Sequence, residues 1–81
     1  MNIPAEQVSP HELVLMDAVE TCRFFGGANS PLNPATLYRG IKSGKYPKPI
    51  KIGPGTSRWV LGECQQKLRE MIAARDEVIA A

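Results

Sequence analysis

The chain has 81 residues, which is one domain at most, and a domain of that size buries only about 60–65% of the surface its unfolded chain exposes. Such a core is too small to surround a deep, water-excluding catalytic site, and no enzyme is expected. The formal charge of +2 conceals a segregation: residues 1–20 carry Glu6, Glu12, Asp17 and Glu20 without a Lys or Arg, whereas residues 21–62 carry Arg23, Arg39, Lys42, Lys45, Lys48, Lys51 and Arg58 without an Asp or Glu. A block of one sign points to a polyanionic partner, nucleic acid above all; the plain alternative is a solvated basic face with no partner.

From the N-terminus, residues 1–11 are polar, carry Pro4 and Pro10, and lack any apolar period, so they read as a flexible leader. No basic n-region or apolar h-region marks a targeting signal, and no apolar run approaches the ~20 residues needed to span a bilayer. The expected setting is soluble and cytoplasmic. His11 stands alone, and Cys22 and Cys64 are far apart and outside any ligand spacing, so no metal and no cofactor is expected. Each cysteine reads as a small apolar packing residue.

The domain is expected over residues 12–74. Leu13-Val14-Leu15-Met16 is too short for a helix and could form a lead-in strand. Asp17 is then a fitting N-cap, with Glu20 in the reciprocal capping position, and Ala18, Val19, Cys22 and Phe25 recur at helical spacing. This predicts a helix from Asp17 to Phe25 ended by Gly26-Gly27. The run from Gly26 to Leu32 reads as a loop.

Asn33 as N-cap and Pro34 at the first helical position predict a second helix from Pro34 to Ser43, stopping at Gly44. At about 100° per residue, Leu37 and Ile41 share one face, while Thr36, Arg39, Gly40 and Ser43 share the opposite one. Tyr38 and Lys42 lie between the two faces. Pro47 and Pro49 exclude helix continuation. Ile50-Lys51-Ile52 alternates as a half-buried strand would, Gly53-Pro54-Gly55-Thr56 supplies a turn, and Ser57 to Val60 returns as a second strand. A hairpin alone is marginal, so Ile50, Ile52 and Trp59 are expected to lean on the helices. From Gly62 the chain is helical in pattern, with Leu61, Cys64, Leu68, Met71 or Ile72, Arg75 and Ile79 near one side. Residues 75–81 extend beyond what so small a core can cover: they fray, or they offer Ile72, Val78 and Ile79 to another protein.

Thr36-Leu37-Tyr38-Arg39, Ile41-Lys42-x-Gly44, Tyr46-Pro47-Lys48-Pro49-Ile50-Lys51-Ile52-Gly53 and Arg58-Trp59 together resemble the AlpA-like, MerR-related winged-helix proteins of phages and mobile elements. These include excisionases (recombination directionality factors) and transcriptional regulators. The resemblance covers roughly Leu15 to Leu68. It departs from the family in the expanded loop Gly26–Leu32 and in Lys67, which stands where the family often has an aromatic residue. It implies a mainly α fold with a β-hairpin, a winged helix-turn-helix in which the second helix enters the major groove and the wing meets a flanking minor groove or phosphates.

The chemistry of the residues is compatible with those roles. Arg39 can donate a bidentate pair to guanine, and Gly40 beside it lets the backbone approach the groove. Thr36, near a helix N-terminus, suits a phosphate oxygen. Tyr38 can bond a phosphate or pack at the core margin, and Trp59 reads as a core aromatic. Lys42, Lys45 and Lys48 surround the helix end as phosphate contacts or surface charges, and Lys51 and Arg58 belong to the wing. The leading expectation is a sequence-specific double-stranded DNA-binding protein acting as an excisionase that directs an integrase toward excision, with self-association on DNA through the last helix. A transcriptional regulator with the same DNA contacts, and a basic protein-interaction module, are the alternatives.

Overall fold

The computed structural model describes residues 13–80, with side chains to residue 76. The leader at residues 1–11 and His11 lie outside the described residues. In chain order the elements are β1 (Leu15–Met16), α1 (Ala18–Gly26), α2 (Pro34–Lys42), β2 (Ile50–Gly53), β3 (Thr56–Val60) and α3 (Leu61–Ala80). The fold is thus mixed, three helices with a three-stranded antiparallel sheet of order β1-β3-β2.

The helix starts follow from local chemistry. Asp17 and Glu20 form a reciprocal capping box: the Glu20 N–H donates to Asp17 Oδ1 at 2.8 Å, and the Asp17 N–H donates to Glu20 Oε1 at 3.1 Å. Asn33 caps α2 by accepting from the Ala35 N–H at 2.9 Å, with Pro34 behind it at the first position. The end of α2 is a Schellman closure, in which the Lys45 N–H donates to the Gly40 carbonyl at 2.7 Å and the Gly44 N–H to the Ile41 carbonyl at 3.1 Å. Gly44 takes φ +85° there, as the motif requires.

The expanded loop is folded back on α1. The Leu32 N–H donates to the Cys22 carbonyl at 3.0 Å. A Cβ on Gly26 would stand 2.5 Å from the Leu32 nitrogen, so only glycine lets the loop come this close.

The ribbon expected to be two-stranded has a third strand. Leu15 and Met16 pair with Val60 and Trp59, and the Leu61 N–H donates to the Val14 carbonyl at 2.8 Å. This β1–β3 ladder ties the start of the domain to the point where the ribbon runs into α3.

The core is Met16, Cys22, Leu37, Tyr46, Trp59 and Cys64, with Thr21 buried beside them. Thr21 meets its polar obligation by donating its hydroxyl to the Asp17 carbonyl at 2.8 Å. Trp59, fully buried, donates its indole N–H to the Pro47 carbonyl at 3.1 Å. The first half of α3 closes this core through Cys64, with Leu61 and Met71 packed at its edge. Residues 72–76 are exposed.

Two expectations fail. Ile50 and Ile52 do not lean on the helices and are 43% and 52% exposed: Ile50 pairs with Arg58, which puts it on the sheet face opposite Trp59, and Ile52 falls at the break in register between Lys51 and Gly53. Gly40 is not on the open face of α2. It is buried under the Tyr46 ring, where a Cβ would lie 2.2 Å from Tyr46 Cδ2.

Candidate nucleic-acid interface

The exposed side of α2 follows from which residues it buries. Leu37 and Gly40 are buried and Ile41 is half-buried, which leaves an arc running from Tyr38 through Lys42 and Arg39 to Ser43 and Thr36. One flank of this arc adjoins the turn after the helix. Thr36, Arg39, Gly40, Ser43, Lys45 and Tyr46 line a shallow trough of about 340 Å³ there. The Arg39 guanidinium donates to the Thr36 hydroxyl at 3.3 Å, and Lys45 Nζ stands 5.6 Å from the centroid of the Tyr46 ring. The other flank meets the ribbon, where Tyr38, 49% exposed, sets its ring edge-on to Trp59 with centroids 6.1 Å apart. Asp17, Val19, Tyr38, Ser57, Arg58 and Trp59 line a cleft of about 400 Å³ at this seam.

The structure therefore brings Thr36, Arg39 and Lys45 together on one side of α2 and Tyr38 and Arg58 together on the other, with Lys42 exposed on the helix's last turn. Lys51 and Arg58 do not leave the ribbon from one face. Lys51 pairs with Ser57, and Arg58 pairs with Ile50, so the pleat puts Lys51 on the face that carries Trp59 and Arg58 on the reverse. Arg58 folds back, donating from Nη1 to the Ser57 carbonyl at 2.8 Å. Lys48 belongs to a separate hollow beside α3, with Pro47, Glu63, Gln66 and Lys67. Ser57 and Tyr46 border the two hollows around α2 and are not among the expected contacts. Ser57 is traceable in the sequence as the residue two before Trp59, and so on its face of the strand.

The cations of this surface form no ion pair among the described residues, although Asp17 lines the seam with Arg58 and Glu63 lines the hollow with Lys48. The ion pairs among the described residues, Lys67–Glu70 at 3.6 Å and Arg75–Asp76 at 2.8 Å, are both on α3. No cation between residues 21 and 62 meets a carboxylate among the described residues. The two thiols stand apart from this surface, both free and buried. Burial raises the Cys22 thiol, and burial together with the neighbouring Glu63 carboxylate pushes Cys64 up to about 11, which keeps them protonated packing groups at neutral pH. Among the described residues no helix is long and apolar enough to cross a membrane, and no cluster of three His, Cys, Asp or Glu side chains could hold a metal ion.

Comparison with protein-family models, with curated proteins and with solved structures found no match.

Proposed function

We propose that this chain is a winged-helix protein of the AlpA-like, MerR-related kind that binds double-stranded DNA in a sequence-specific way and serves a mobile genetic element as an excisionase, turning an integrase toward excision. The observation that carries the DNA-binding reading is the exposed arc of α2, with Arg39 at its centre, flanked by cations on the turn and the ribbon in a stretch of chain that holds no carboxylate. A helix of this length fits a major groove, and Arg39 there reads guanine O6 and N7, a contact that contributes about 1–3 kcal/mol of base discrimination. Thr36, Tyr38, Lys42 and Lys45 meet the phosphates on either side of the groove. The β2–β3 ribbon is the wing, with Lys51 and Arg58 toward the adjoining phosphates or minor groove, and Lys48 adds a charge from the α3 side.

The excisionase role follows from the resemblance: such proteins have no active site and work by binding adjacent sites and recruiting a recombinase. The deciding experiment is footprinting of the purified protein on DNA flanking its own gene and on the ends of an element that carries it. Protection at attachment-site arms supports excision control. Protection at a promoter alone would replace it with transcription control. If about five phosphates are neutralised, log K falls with log salt at a slope near −4.5, and a slope near zero would remove DNA as the partner.

A further inference from the structure

One apolar side chain at the far end of the ribbon is left over by the fold. β2 pairs with β3 through Lys51–Ser57 and then Gly53–Thr56, so β2 carries one more residue than β3 between those pairs, and that residue is Ile52. A bulge of this kind re-aims the extra side chain and sharpens the local twist. Ile52 is 52% exposed on the edge strand of the sheet, with no further strand beyond it among the described residues.

Immediately after Ile52 comes Gly53-Pro54-Gly55, a turn with no charged side chain and with Gly55 at φ +66°. The cations stand farther back, Lys51 just before the bulge and Arg58 across from Ile50. A ribbon that only tracked phosphates would carry its charges at the tip. Here the turn itself carries no charge, and the bulged Ile52 stands between it and Lys51. That order matches a minor groove, whose phosphate rows flank an interior in which an apolar wedge can separate neighbouring base pairs in the stack. The basic block without carboxylates fixes the partner's sign.

We infer that Ile52, extruded by the bulge, is a minor-groove wedge that partly unstacks a pyrimidine–purine step and bends the duplex, while Lys51 and Arg58 hold the phosphates beside it. Pyrimidine–purine steps yield most readily to such a kink. The inference rests on the DNA-binding reading above and adds deformation to it.

The test uses the full chain and a G·C-rich duplex of about 30 base pairs with one central TpA step. That adenine is replaced by 2-aminopurine, and a donor and an acceptor dye label the two ends. Binding is followed by anisotropy at low salt, unstacking by 2-aminopurine emission, and bending by energy transfer. The unaltered protein should raise emission and energy transfer together on binding. Ile52→Ala should lose both signals while weakening binding by no more than about tenfold, and Ile52→Met, which restores an apolar wedge, should recover them. Ile50→Ala, on the same strand but in register, should keep both signals. Circular dichroism and Trp59 emission establish that each variant is folded. If the unaltered protein binds without either signal, or if Ile52→Ala retains both, the wedge is overturned and the DNA-binding reading stands. If the protein does not bind the duplex at low salt, both fall.

Discussion

Gly40 offers a test in which two accounts of one residue differ in sign. If its small size served an open groove-facing surface, replacing it with alanine would stabilise α2 by about 1 kcal/mol through helix propensity alone and would harm only DNA binding. In the structure the added Cβ would lie 2.2 Å from Cδ2 and 2.4 Å from Cε2 of Tyr46, well inside contact distance. The ring cannot swing aside freely, because Tyr46 is only 6% exposed and Phe25 packs on it with centroids 4.6 Å apart. Overpacking a core costs about 1–3 kcal/mol, and a contact this short belongs at the upper end. Subtracting the propensity gain leaves a net loss of about 2 kcal/mol, a large share of the roughly 4–12 kcal/mol expected of a domain this size. Urea unfolding followed by Trp59 fluorescence would measure it, and the melting temperature should fall by about 10 °C. In a Tyr46→Ala background the same substitution should cost far less, since the obstructing ring is gone. A Gly40→Ala protein as stable as the unaltered one, or more stable, would refute the close approach of α2 to Tyr46.

Arg39→Ala should weaken binding to the specific site by about 1–3 kcal/mol while leaving nonspecific affinity nearly unchanged, measured by anisotropy on target and scrambled duplexes; an equal loss on both would make Arg39 a phosphate contact. Cys64 predicts a pH dependence: its folded thiol titrates at about 11 and its unfolded one at about 9, so the unfolded state releases the proton first. Stability from this group is intact below pH 9 and declines by about 2–3 kcal/mol as pH rises toward 11. Urea midpoints across that range should fall less steeply in Cys64→Ala, and an unchanged slope would show that the thiol is not the cause. Removing residues 76–81 should leave single-site binding intact and reduce cooperativity on tandem sites in a gel-shift titration. Cooperativity that survives the deletion would take the last turns of α3 out of assembly.

The features legible in the sequence are those settled within a few residues. The Asp17–Glu20 box, the Asn33-Pro34 start and the Gly44 stop each depend on side chains no more than one helical turn from the backbone they satisfy, and each stands in the structure within a residue of its expected place. The features hidden from it are set by partners far along the chain. Leu15 and Met16 pair with Val60 and Trp59, a choice that an apolar run of four residues cannot announce. A helical wheel puts Gly40 on the open side of α2 because it places a residue by angle alone, whereas Tyr46 returns over that angle after the helix has ended. The Ile50-Lys51-Ile52 alternation promises a buried face. It gives none because Ile50 pairs with Arg58 on the face opposite Trp59 and the bulge takes Ile52 out of register. The basic residues are visible as a set, but their division between the two sides of α2, the two faces of the ribbon and the hollow by α3 depends on the pairing register and on the turn.

Any use of α2 and the ribbon on one duplex requires a fixed distance between them, and the chain joins them only through the turn at residues 43–49. Two side chains turn that connection into a seam. Tyr46 plugs the turn under α2 at Gly40 and against Phe25 of α1. Trp59 carries β3 into the same core: it pairs with Met16 of β1, donates to the Pro47 carbonyl at the far end of the turn, and supports the Tyr38 ring from below. Tyr38 is therefore both the last exposed residue on the helix side and the first on the ribbon side. A core of six buried apolar side chains among the described residues has little redundancy, so loosening either aromatic should shift the ribbon relative to the helix. The spacing of Arg39 from Lys51 and Arg58 is consequently a property of the core, and variants that never touch a ligand should still change how the basic surface fits one.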